Sequence, residues 1–98
     1  MNMQAMLKQA QNMQRDMLKI KEEIDSTEFT GTSSLVTATV MGDKTVSGIE
    51  FNLDEDFSVE DVDILQDMIV VAINDAMKKI DETTEKKMSK FGNIPGLF

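Results

Sequence analysis

Met3, Met6, Ala10, Met13, Met17, Ile20 and Ile24 follow one another at alternating intervals of three and four residues. Apolar residues at that spacing form an a/d stripe along one side of an α-helix, here held for about three heptads. Gln, Asn, Lys and Glu flank the stripe, and all of them suit an exposed helical surface. The pattern predicts a helix from about Asn2 to Ser26, roughly 40 Å long at ~1.5 Å per residue. Such a helix must lay its seam against something. Two partners are open: the chain's own sheet and second helix, or a helix of a second copy.

From Glu28 the period changes. Val36, Ala38 and Val40 alternate with Thr37 and Thr39, the signature of a half-buried strand. Gly42, Asp43 and Lys44 form a turn signal, and Thr45 to Leu53 is a second strand with Ile49, Phe51 and Leu53 on one face. The two make a hairpin, with Phe29 to Ser33 as a third strand on its edge; all strands lie within 28–53. Gly31 and Gly48 are isolated and mark strand irregularities. Ser58 with Asp61 has capping-box spacing, and Phe57 with Val62 that of a hydrophobic staple. The helix begun there runs over 58–90 and ends before Gly92, leaving a tail at 91–98. The expected architecture is α+β: one domain over 1–98, a three-stranded antiparallel sheet between two long helices.

A compact chain of 98 residues has a radius of gyration of only ~13 Å. Helices of roughly 40 and 50 Å overhang such a core. An overhanging apolar stripe is most cheaply buried against a second copy, so geometry alone predicts a homodimer.

Composition removes several chemistries. The chain has no Cys and no His, hence no disulfide, no thiolate metal site and neither the commonest general base nor the commonest metal ligand. No nucleophilic elbow or glycine-rich phosphate loop occurs. Asp54 to Asp61 is acidic but lacks the Gly and terminal Glu of a calcium loop. No enzyme, metal site or cofactor is expected. The N-terminus does not read as a secretory leader, and the longest apolar run, Met68 to Ile73, is too short to cross a bilayer. A soluble intracellular protein with no membrane partner is expected.

The formal net charge is −8, from 18 acidic and 10 basic residues. Lys8, Arg15 and Lys19 nevertheless share the outer face of the first helix, opposite the seam. Lys79, Lys86 and Lys90 repeat the same spacing on the second. Two outward basic stripes on overhanging helices have the reach to contact duplex phosphates. They also fit an ordinary solvated surface: Asp75 with Lys79 and Glu82 with Lys86 are i,i+4 pairs, and lysines suit a helix C-terminus.

Leu7 to Gln14, running on to Ile20 to Ile24, resembles the first helix of the YbaB/EbfC family of bacterial nucleoid-associated proteins. Leu35 to Gly42 resembles that family's central strand and turn, Val70 to Lys79 its second helix with an Asn-Asp-Ala core, and Ile94 to Phe98 its ending. The resemblance covers nearly the whole chain, and the ordered set carries it. It implies an α-β-β-β-α fold in a tweezer-like homodimer that binds double-stranded DNA in the bacterial cytoplasm and nucleoid. It also implies a part in nucleoid organisation or gene regulation. The positions available for DNA on the projecting helices are Lys8, Arg15, Lys19 and Lys21, with Lys78, Lys79, Lys86, Lys87 and Lys90. Phosphate contacts with little sequence specificity are expected, because no recognition cluster for base edges stands out. The alternative is an acidic dimeric adaptor for a protein partner, suggested by the net charge, the Met-rich helix and the apolar tail.

Overall fold

Asn2 caps helix α1 (Met3–Asp25), its side chain accepting a hydrogen bond from the Ala5 N–H at 2.7 Å. Ser26 closes the other end, its N–H donating to the Glu22 carbonyl. Strands β1 (Glu28–Thr32), β2 (Val36–Met41) and β3 (Val46–Phe51) follow and pair antiparallel in that order. A 3-10 turn at Val59–Asp61 leads into α2 (Val62–Met88), and a second at Ser89–Phe91 ends it. The Asp61 carboxylate accepts from the Ser58 N–H, as the capping-box spacing predicts. The α-β-β-β-α order and the third strand are as expected. The helix expected over 58–90 is α-helical only over its middle, with a 3-10 turn at each end. The computed structural model describes residues 2–92. Of the expected tail at 91–98, Phe91 and Gly92 are therefore described, and 93–98 lie outside the described residues.

Alternation in β2 turns Val36, Ala38 and Val40 toward α2, where Ala72, Ala76 and Ile80 meet them; all six are at most 2% exposed. Small residues on both sides bring helix and sheet close. Gly31 of β1 shows how close: a Cβ there would overlap the Ala72 carbonyl oxygen and the Ala76 amide. The strand irregularity expected at Gly31 is therefore not its role. The residue is the point where β1 and the backbone of α2 touch. Gly48 does mark an irregularity, because Thr39 pairs with Gly48 while Val40 pairs with Val46, leaving Ser47 as a bulge. Gly42 begins the β2–β3 turn against α1, and a Cβ there would overlap the Ile24 carbonyl. Lys44 closes that turn in the left-handed region at φ 71°, as a three-residue hairpin loop requires.

Two backbone groups on the outer edge of β1 are held by α2. The Thr32 N–H donates to the Asp75 carboxylate at 3.0 Å, and Lys79 Nζ donates to the Thr30 carbonyl at 2.8 Å. Side chains of the helix thus occupy backbone groups that an edge strand would otherwise offer to another chain.

Two apolar surfaces stay uncovered. The first is the seam of α1. Ile24 is buried and Ile20 and Met17 are half-buried, but Met13, Ala10, Met6 and Met3 are exposed, Met3 at 84%. Of the two partners left open by the sequence, the chain's own body takes only the last third of the seam. The second surface is β3. Phe51, Ile49 and Val46 lie opposite Val36, Ala38 and Val40, so they point to the α2 side of the sheet. Helix α2, however, packs on β1 and β2. The apolar face of β3, and Leu53 beyond it, are left 38–48% exposed. Asp75 and Lys79 reach toward β1; helical spacing puts Ile73 and Met77 on the other flank of α2, where they pack at the margin of the core, and Val70 stays exposed.

Candidate nucleic-acid interface

The molecule measures 71 × 20 × 15 Å with a radius of gyration of 19.4 Å, well above the ~13 Å of a compact chain of this size. The length comes from an arm. Lys21, Ile24 and Asp25 of α1 share a cleft of about 330 Å³ with Ile80, Asp81 and Thr84 of α2 and with Gly42, Asp43 and Lys44 of the turn. Helix α1 runs toward this cleft and α2 runs away from it. Four residues further out on each helix, Met88 comes level with Met17, and Met88 is only 6% exposed. Among the described residues the arm beyond Phe91 is α1 alone, projecting by roughly 18 Å at ~1.5 Å per residue.

This geometry sorts the nine candidate cations. Lys21 pairs with Asp25 at 2.9 Å, Lys78 with Glu82 at 4.0 Å and Lys79 with Asp75 at 3.4 Å. Lys79 also holds the edge of β1. The pairing Asp75–Lys79 is as expected, whereas Glu82 pairs with Lys78 one turn back and not with Lys86. Lys8, Arg15, Lys19, Lys86, Lys87 and Lys90 make no ion pair with any described residue. All six lie on the arm. Arg15 and Lys19 of α1 stand at about the same height as Lys86, Lys87 and Lys90 at the end of α2, and Lys8 lies further out. Lys90 also stands 5.1 Å from the centroid of the Phe91 ring.

Lys44 is the one cation that sequence reasoning did not select. It sits in the turn and pairs with Asp81 at 3.1 Å, tying the hairpin to α2 at the base of the arm. A lysine in a turn gives no sign of such a role, because its partner is 37 residues away in the chain. The bond from the Thr32 N–H to Asp75, across 43 residues, is likewise invisible in advance, although the pairing of Asp75 with Lys79 is not. The Thr32 N–H holds its carboxyl below the usual carboxylate range, and Lys79 adds to the effect.

Charge is segregated along the molecule. Residues 45–77 contain nine acidic and no basic residues, which leaves nine acidic and ten basic residues for the rest of the chain. The first block comprises β3, the connection and the first half of α2. The negative charge belongs to the body, and the segments that build the arm are close to neutral. An arm carrying six unpaired cations is suited to a run of phosphates, each contact a charge-assisted hydrogen bond at the surface. Among the described residues no group of three or more acidic side chains is placed to hold a metal ion. No described helix is long and apolar enough to cross a membrane.

Comparisons with known proteins agree with this geometry. The sequence model of the YbaB/EbfC DNA-binding family matches residues 1–94. A nucleoid-associated protein of Streptococcus suis is 45% identical, the match covering 97% of this chain and 98% of that one. One from Streptococcus thermophilus is 49% identical over the same shares of both chains. One from Enterococcus faecalis is 45% identical over 97% of this chain and 93% of its own. Among solved structures, an uncharacterized protein of Helicobacter pylori superposes with a TM-score of 0.75 at 18% identity, covering 95% of this chain and 99% of that one. That last likeness is one of fold.

Proposed function

Because the chain belongs to the YbaB/EbfC DNA-binding family, we propose that it is a nucleoid-associated protein that grips double-stranded DNA as a homodimer. The observation that carries this reading is the set of six cations on the arm that no described acid neutralises: Lys8, Arg15, Lys19, Lys86, Lys87 and Lys90. Lys21, Lys78 and Lys79 are secondary, being engaged within the chain. The contacts are to phosphates, so sequence specificity is low and the role is structural or regulatory in the bacterial cytoplasm, without catalysis or a cofactor.

Dimerisation follows from the two uncovered apolar surfaces. A two-fold axis beside β3 lays the open apolar face of each sheet, Val46, Ile49 and Phe51, against that of the other, a self-complementary contact. The exposed seam of α1 from Met3 to Met13 is then free to pack between arms. The dimer carries twice −8, so its affinity for DNA rests on arms held away from the body, and it weakens steeply with salt.

The test is fluorescence anisotropy of a labelled duplex against the purified protein over a series of salt concentrations. The reading predicts a linear fall of log affinity with log salt. The triple reversal Lys8→Glu, Arg15→Glu and Lys19→Glu should abolish binding at moderate salt, while Lys78→Gln should change it little. Binding untouched by the triple reversal would refute the arm as the interface. Absence of binding at low salt would instead favour the adaptor reading, for which the cation-free block at 45–77 offers an acidic surface with Val59 88% exposed.

A further inference from the structure

We infer that the outer seam of α1 is an oxidation-sensitive surface, whose methionines switch the arm from an apolar to a polar state when a peroxide reaches them. From Met3 to Met17 the seam consists of four thioethers and one Ala; the branched aliphatics Ile20 and Ile24 begin only where the helix meets the body. The chemistry is thus divided by position. At the anchored end Ile20 and Ile24 cannot be oxidised and Met17 is half-buried, whereas the projecting seam from Met3 to Met13 is three thioethers and Ala10, with Leu7 exposed beside it. Met3 is 84% exposed, Met6 51% and Met13 42%, whereas Met88 at the root of the arm is 6% exposed.

The step is balanced. A thioether lone pair attacks one oxygen of hydrogen peroxide, the O–O bond breaks, and a sulfoxide and one water result. Sulfur is oxidised by two electrons and the peroxide is reduced. The product is a strongly polar, chiral side chain in place of a flexible apolar one. On a solvated helix the change costs little. Where the seam packs against a second arm it places S=O groups in a contact without partners for them, which disfavours closure. Hydrogen peroxide is small enough to enter during local opening of the arms. The inference therefore rests on the dimeric reading above, in which the exposed seam is paired.

Peptide mass mapping of peroxide-treated protein should show oxidation in the order Met3, Met6, Met13, with Met88 last. Treated protein should bind duplex DNA at least about tenfold more weakly, since a single unsatisfied polar group in a contact has that effect. Methionine sulfoxide reductases should restore it. The variant Met3→Leu, Met6→Leu, Met13→Leu keeps the seam apolar at similar volume; it should bind DNA as well as the untreated protein and lose no affinity on treatment. Untreated protein that is monomeric or does not bind DNA would sink the dimeric DNA-binding reading. Untreated protein that is dimeric and binds, yet keeps its affinity with all three methionines oxidised, would overturn the redox inference alone. So would a Leu variant that loses affinity on treatment as the wild type does.

Discussion

Gly31 is where the packing of this fold is decided by the absence of an atom. A Cβ at this position would overlap backbone atoms of α2 at Ala72 and Ala76, and backbone cannot rotate aside as a side chain can. Gly31→Ala should therefore destabilise the protein by about 2–3 kcal/mol, the usual cost of forcing apart a packed interface, read as a lowered thermal midpoint. The sequence shows only an isolated glycine in a short polar strand. A strand irregularity and a close approach to a helix 41 residues later look the same there. Asp75 makes a second prediction. Its carboxyl is held below its ordinary pKa by the Thr32 N–H, so it contributes stability above an unfolded-state pKa of ~3.9. That contribution is lost as pH falls through the lower folded-state value. Asp75→Asn keeps an oxygen for the Thr32 N–H but removes the charge. Melting curves at a series of acidic pH values should show the variant's stability depending less on pH below about 4.

At the scale of elements the sequence was most readable where a pattern is local. The heptad seam and the alternation in β2 needed only side-chain periodicity, and both elements appear where expected. What periodicity could not assign was the partner of each apolar face. Ile49 and Phe51 alternate as cleanly as Val36 and Ala38, yet one pair is open and the other is covered. The difference lies in which two strands α2 crosses, a tertiary fact. Ile49→Glu with Phe51→Glu places charges on a face that is solvent-accessible in one chain, so circular dichroism should be unchanged. Sedimentation should show a monomer where the wild type is a dimer; a persistent dimer would place the two-fold contact elsewhere. Of the nine candidate cations, eight lie on α1 and α2 and Lys90 in the closing 3-10 turn, but the sequence could not separate those tied up within the chain. Each engaged cation pairs with an acid four residues away on its own helix, but Lys19 with Glu23 and Glu82 with Lys86 share that spacing without pairing, so side-chain geometry decides.

For the molecule as a whole, net charge is a poor guide because its charges are sorted. An overall −8 would argue against a polyanion if it were spread evenly, but the cation-free block at 45–77 lies in the body. The influence of an exposed charge falls off over ~10 Å at 0.1 M salt, a short distance beside a molecule 71 Å long. Replacing Asp54, Glu55 and Asp56 by Asn, Gln and Asn should therefore change DNA affinity by less than about twofold at 0.1 M salt. A larger gain is expected near 0.01 M, where the Debye length reaches ~30 Å. Anisotropy titrations at the two salt concentrations check this. The partly occupied edge of β1 makes the two sides of the sheet unequal. Asp75 and Lys79 already hold the Thr32 N–H and the Thr30 carbonyl, whereas β3 pairs only with β2 among the described strands. A further strand therefore finds more free donors and acceptors beside β3, which biases association through the sheet toward a pair and away from a fibre.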